Sequence, residues 1–162
     1  MGIEKGLRLG TMTLAGLKKS GGLKAALSSF ERFYLGPEFC ENLLDNSACR
    51  EAASLQKMGK KICLLTPMLS EAGVKRLDSV FKGLLRLTRR GVIDPQGLEI
   101  TVNDFGAVEL ARRNSLPFAL NAGRLLRDNV FDSTGKPLKV HNGAALAFFR
   151  GLGITRYELP ST

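Results

Sequence analysis

The sequence predicts a parallel α/β fold of the (β/α) barrel type, incomplete, with about six strands. Three observations predict it. Strand-like and helix-like segments alternate along all 162 residues. Most connections between them are short. The strand-like runs are apolar, as expected where both faces of a sheet are covered. Right-handed crossovers then leave two architectures, a doubly wound open sheet or a barrel. No Gly-x-Gly-x-x-Gly follows any strand, which weighs against a dinucleotide-binding sheet. Six strands are two short of a closed eight-stranded barrel, so the chain is expected to be one domain over residues 1–162, truncated after its sixth strand.

The elements follow in order. Leu7 to Met12 is the first strand-like run, and Leu14 to Phe30 a helical stretch weakened at Gly21 and Gly22. Glycine costs a helix about 1 kcal/mol relative to alanine. Arg32 to Gly36 is a β-favouring run stopped by Gly36-Pro37. Helical spacing of Leu44, Ala48, Ala52 and Leu55 predicts a helix from Glu41 to Met58, ended by Gly59. Ile62 to Leu65 is a strand apolar at every position, ended by Thr66-Pro67.

Ser70 is placed to cap a long helix, with Glu71 in its first turn and an apolar stripe from Val74 through Leu77, Phe81 and Leu84. Gly91 ends it, and Asp94-Pro95-Gln96-Gly97 is a turn. Leu98 to Val102 is a strand running into Asn103-Asp104-Phe105-Gly106, where a short helix starts. Leu116 to Leu120 reads as the next strand, opened by Pro117. Residues 121–140 are polar with no clear element, a length that marks a functional or mobile loop. Asn142 then caps a helix through Arg150, and Ile154 to Leu159 is the last strand.

Composition bounds the function. The formal net charge is +9. Such a surplus fits a polyanionic partner such as RNA, or a solvated surface with Lys and Arg at helix C-termini. No RNA-binding motif with interleaved aromatics is present. The three cysteines, Cys40, Cys49 and Cys63, are odd in number and not closely spaced, which argues against a disulfide framework. No stretch is apolar for long enough to span a bilayer. The first thirty residues are basic, but Lys18, Lys19, Ser20, Gly21 and Gly22 interrupt any signal-peptide core. A cytoplasmic protein is expected. The alternative is a basic N-terminal helix lying on a membrane surface.

Ligands of parallel α/β folds bind at the carboxyl ends of the strands. That rule selects Glu38 and Cys40, Thr66, Asn103 and Asp104, Asn121 and Arg124, and Glu158. Asp104 either caps the following helix or contacts ligand. Arg124 either binds an anion bidentately or forms an ion pair that orders its loop. Glu158 serves as acid, base or ligand, or pairs with a basic residue. Cys40 is either a reactive thiol or metal ligand, or a small buried side chain. Cys49 and Cys63 read as packing residues. His141, the only histidine, has no partner spaced for metal or triad chemistry. The residues alone therefore reach a fold and an active face, and not a reaction.

Several segments add a resemblance. They are Tyr34-Leu35-Gly36-Pro37-Glu38-Phe39-Cys40, Lys60-Lys61-Ile62-Cys63-Leu64-Leu65-Thr66-Pro67, Val102-Asn103-Asp104-Phe105-Gly106, Gly123-Arg124-Leu125-Leu126 and Gly151 to Leu159. In this order they resemble the front part of the collagenase-like U-32 peptidase family, from Leu7 onward. The resemblance implies a barrel-type fold and a bacterial cytoplasmic setting. It also implies one of two activities: peptidase action, or oxygen-independent hydroxylation of ubiquinone precursors or RNA bases.

The hydroxylating branches hold an iron–sulfur cluster through four cysteines. Cys40 matches the first of them, and the others belong to a region beyond Thr162. The expectation is a hydroxylation component with Cys40 as a metal ligand. Asp104 and Glu158 would be catalytic, and Glu38, Thr66, Asn103 and Arg124 would bind substrate. The alternatives are a peptidase using a carboxylate to activate water, and a non-catalytic partner. An incomplete barrel would associate with itself or with a chain that completes it.

Overall fold

A computed structural model describes residues 3–10, 12–128 and 143–158. The predicted Asn142 cap and His141 lie outside the described residues. The strands are β1 (Gly6–Arg8), β2 (Arg32–Leu35), β3 (Lys61–Leu65), β4 (Leu98–Val102), β5 (Ala119–Ala122) and β6 (Ile154–Tyr157). All neighbours pair in parallel, in the order β1-β2-β3-β4-β5-β6. A doubly wound sheet reverses its strand order at a switch point. This sheet never does, so it is singly wound, as a barrel is, with six strands among the described residues.

The helices are α1 (Leu14–Lys19), α2 (Leu23–Ser29), α3 (Ser47–Lys57), α4 (Glu71–Arg89), α5 (Phe105–Arg113), α6 (Arg124–Asp128) and α7 (Gly143–Gly151). The predicted first helix is two helices, because Gly21 takes a φ of +76° that ends α1. Helix α3 starts later than its apolar spacing suggests. Glu41–Leu43 forms a separate 3-10 turn, and Leu44 is buried from the loop that follows. Helix α4 matches its reading closely: Ser70 Oγ accepts from Gly73 N at 3.3 Å, and Leu77, Val80, Phe81 and Leu84 are buried. Basic residues occupy the last turns of α1, α3, α4, α5 and α7, where they complement the helix dipole.

Two strand-level expectations are corrected. Strand β5 begins at Ala119 rather than Leu116, so Asn121 lies inside the strand. Phe118 is buried just before it, and this apolar residue next to Pro117 mimics a strand start. Apolar burial on both faces holds for β3, where Cys63 and Leu65 are buried opposite Ile62 and Leu64, and not for the other strands. Phe33, Leu35, Ile62, Leu64, Leu98, Ile100, Val102, Leu120, Ala122 and Ile154 join the helices in one apolar core. The alternate residues carry Arg32, Tyr34, Cys63, Glu99, Thr101, Asn121 and Arg156 on the other face.

That polar face is knitted across strands. Glu99 Oε2 lies 2.9 Å from Arg32 Nη1 and accepts from Asn121 Nδ2 at 3.1 Å. Glu99 Oε1 accepts from Arg156 Nη1, and Cys63 Sγ meets Thr101 Oγ1 at 3.2 Å. A shift in the β5–β6 register between Leu120 and Asn121 sets Arg156 opposite Asn121. Contacts between β2 and β4, and between β4 and β6, skip a strand, which curls the sheet toward its polar face.

Candidate functional site

The site is built where strands β1, β2, β4, β5 and β6 end. Chain reversal after β2 depends on Gly36, whose φ is +91° and whose missing Cβ would stand 2.6 Å from Leu65 O. Only glycine brings the β2 end this close to β3. The turn delivers Glu38, Phe39 and Cys40 to the mouth.

Glu38 is fully buried there, with its side chain 2% exposed. Its carboxylate accepts from Arg124 Nε at 2.7 Å and Nη2 at 3.1 Å, and it also pairs with Arg8 Nη1. Arg124 opens α6, immediately after β5, and Arg8 ends β1. Strands β2 and β5 are three strand spacings apart, about 14 Å in a flat sheet, so the bidentate pair marks the curl at the mouth. Both guanidiniums also lie against the Phe39 ring, at 5.4 Å for Arg8 and 5.0 Å for Arg124.

Glu158 follows β6, where its N–H donates to Ala122 O at 2.9 Å. Its Oε1 accepts from Thr101 Oγ1 at 3.1 Å. Burial holds its carboxyl above the usual carboxylate range and the Glu38 charge adds to this, while the Thr101 hydrogen bond, Arg124 and Arg8 pull the other way. A half-buried carboxyl of raised proton affinity beside two guanidiniums can give or take a proton near a bound anion.

The other predicted residues hold the strand ends together. Thr66 and Asn103 are buried. Thr66 Oγ1 donates to Thr101 O at 3.2 Å, and Asn103 Nδ2 donates to Thr66 O at 2.7 Å. Asn103 Oδ1 accepts from Leu125 N at 3.1 Å, which fixes the start of α6 and therefore Arg124. Asp104 caps α5, as its position suggests. Oδ1 accepts from Ala107 N at 2.7 Å and Oδ2 from Leu69 N at 2.6 Å. With both oxygens on backbone amides, Asp104 is built as a brace between α5 and the loop before α4.

Cys40 is exposed, against the reading of it as a small buried thiol, whereas Cys49 and Cys63 are buried. Burial pushes the Cys49 thiol up to about 11 and the Cys63 thiol up to about 12. Among the described residues, no group of three or more His, Cys, Asp or Glu side chains is arranged to hold a metal. Cys40 fits one corner of a four-thiolate cluster, and the described residues do not supply the other three.

Sequence reasoning misses Arg8, Phe39 and Thr101. Arg8 is hidden because the first strand reads as running to Met12; ended at Arg8, the strand-end rule selects it. Comparison of the chain with protein-family models, with curated proteins and with solved structures finds no match. No helix among the described residues is long and apolar enough to cross a membrane.

Proposed function

We propose that this chain is the substrate-binding part of a U-32-like protein, acting as a component of oxygen-independent hydroxylation. Its mouth takes a small anionic substrate. The observation that carries this reading is the convergence of Arg8 and Arg124 on one buried carboxylate, with Glu158 beside them. The planar guanidinium forks of Arg8 and Arg124, both partly exposed, suit a carboxylate or a phosphate. Glu158 would exchange the proton, and Asn103, Thr66 and Asp104 would position Arg124 and the strand ends. An iron–sulfur cluster in such a system would use Cys40 with thiolates from outside the described residues. The resemblance supplies the chemistry, and the mouth supplies the charge selectivity.

A peptidase reading is favoured by one observation, the raised carboxyl of Glu158. Asp104 is less suited to activate water, because both its oxygens are engaged by amides. An RNA phosphate would also satisfy the mouth, and the choice of probe separates it from a carboxylate.

The test is calorimetric titration of the oxygen-free protein with benzoate and, separately, with inorganic phosphate. Saturable binding that weakens at least tenfold in both Arg8→Gln and Arg124→Gln is expected. Absence of binding by both probes overturns the anion reading. Iron reconstitution gives the second arm: the cluster role requires visible absorption that Cys40→Ser removes.

A further inference from the structure

We propose that the end of the molecule where the strands begin docks on an anionic membrane surface, with the mouth turned away from the lipid. This docking is independent of the anion reading of the mouth.

In a singly wound parallel sheet every returning helix points its C-terminal end toward the strand starts. Helices α3, α4, α5 and α7 each carry basic residues in the last turn. Each is followed by a turn with a residue at positive φ, namely Gly59, Gly91, Ser115 and Gly153. The ends of α3 and α4 are clamped together. Gln56 Nε2 donates to Asp94 O at 2.9 Å, and Asp94 N donates to Gln56 Oε1 at 2.9 Å. An open groove runs between the two turns, with Lys57, Lys60, Lys61, Val92 and Asp94 on its walls.

Positive charge is in excess at this end. Lys57, Arg89 and Arg90 are exposed and make no ion pair among the described residues. Arg113 and Arg150 add exposed cations, and Arg112 lies 4.0 Å from Glu109. The carboxylates here are engaged. Glu4 pairs with Arg32 and Lys61, and Glu31 accepts from Lys5 N at 2.6 Å. Glu99 faces Arg32 and Arg156 on the polar face of the sheet. Asp94 Oδ1 accepts from Gln96 N at 3.0 Å.

Two features favour lipid over nucleic acid. Met58 and Val92, at the two clamped turns, are 45% and 47% exposed and stand beside these cations. Cations interleaved with apolar side chains suit the boundary between headgroups and acyl chains. Bases, by contrast, stack on aromatic rings. The exposed aromatics among the described residues are Phe39, Phe105 and Phe148. Phe39 and Phe105 follow strands at the mouth end, and Phe148 stands edge-on to Phe105 at 6.0 Å.

The experiment sediments the chain with vesicles of phosphatidylglycerol and phosphatidylcholine in equal parts, and with vesicles of phosphatidylcholine alone. Binding to the anionic vesicles only is expected, weakening with added salt. Each cation at the surface contributes about fivefold, so Lys57→Gln with Arg90→Gln should weaken binding by about tenfold or more. Arg50→Gln with Lys75→Gln removes the same charge from the mouth-side halves of the same helices and should change binding by less than about twofold. Met58→Ser with Val92→Ser keeps the net charge and should weaken binding by about fivefold or more. All six positions are exposed, so the substitutions spare the core. Equal losses from the two charge pairs overturn the assigned face. Indifference to Met58→Ser with Val92→Ser overturns the lipid occupant. Absence of binding to the anionic vesicles overturns the docking, and binding of a single-stranded RNA oligonucleotide in its place would give this face to nucleic acid.

Discussion

Arg124 donates two hydrogen bonds to the two oxygens of Glu38, across 86 residues of sequence, and so ties the end of β5 to the loop after β2. The carboxylate is the buried partner, and both arginines keep substantial exposure. Removing its charge therefore deprives the mouth of its anchor while leaving the cations solvated. Glu38→Gln is expected to lower stability by about 1.5–3 kcal/mol, the range of a charge-assisted hydrogen bond. Urea unfolding measures it. A loss under about 0.5 kcal/mol would mean the pair is no better than an exposed one.

Gly123 sits between β5 and Arg124, where an added Cβ would meet Asn103 Oδ1 at 2.1 Å and Thr101 Cγ2 at 2.9 Å. Neither neighbour can yield without loosening the strand ends. Gly123→Ala should cost about 1–3 kcal/mol, as overpacking does, and should weaken anion binding by displacing Arg124. Gly143, with open space around it, is the control. Gly143→Ala should leave both thermal stability and binding unchanged, and equal effects of the two changes would refute the steric account.

These contacts also show what the sequence makes legible. Helix α4 announces itself through the Ser70 cap, a continuous apolar stripe and Gly91. Asp104 announces its cap by position. Those signals are local, and local rules decide them. The polar face is different. Arg32 and Tyr34, Glu99 and Thr101, and Arg156 alternate with apolar neighbours, a period-2 pattern that is visible in the sequence. The fully apolar Ile62-Cys63-Leu64-Leu65 run obscures it. Glu38 and Arg124 both stand out as strand-end residues, but their pairing depends on sheet curvature, which no local pattern encodes. The role of Arg8 is hidden by a three-residue strand too short to delimit from propensity.

Glu158 gives the mouth a pH dependence of defined sign. The folded chain raises its proton affinity, chiefly by burial. Its contribution to stability is therefore complete below the ordinary glutamate value and is lost as pH rises through the raised folded value. Glu158→Gln should flatten the stability profile in that window. Thr101→Val removes a hydrogen bond that favours the carboxylate, and should move the Glu158 titration further upward. Carboxyl NMR titration of wild type and Thr101→Val checks this, and a downward displacement would contradict the assigned role of Thr101.

The three thiols should separate by reactivity. Cys40 is exposed, while Cys49 and Cys63 are buried and hold their protons to about 11 and about 12. The thiolate is the reacting species. At pH 8 the folded protein should consume one equivalent of a disulfide reagent rapidly, and Cys40→Ser should abolish that phase. Unfolding in urea should release the other two. Rapid labelling of two or more thiols in the folded chain would mean that the sheet or α3 opens readily.

Glu99 is the hub of the polar face, and its loss should be costlier than that of any surface carboxylate. Its side chain is 13% exposed and faces Arg32, itself 10% exposed. It also accepts from Asn121 and Arg156. Removing a carboxylate from such a setting leaves a buried guanidinium with one fewer counter-charge, an effect that reaches about 3–5 kcal/mol for fully buried pairs. Arg32 retains Glu4 as a partner, and Arg156 is solvated, so the expected cost of Glu99→Gln is smaller, about 2–3 kcal/mol. The comparison is Glu109→Ala, at an exposed carboxylate 4.0 Å from Arg112, with an expected change within about 0.5 kcal/mol. Chemical unfolding of both variants decides the matter. If Glu99→Gln is as mild as Glu109→Ala, the polar face is water-filled rather than knitted. The sheet would then owe its curl to the helix layer and to the Glu38 arch at its mouth.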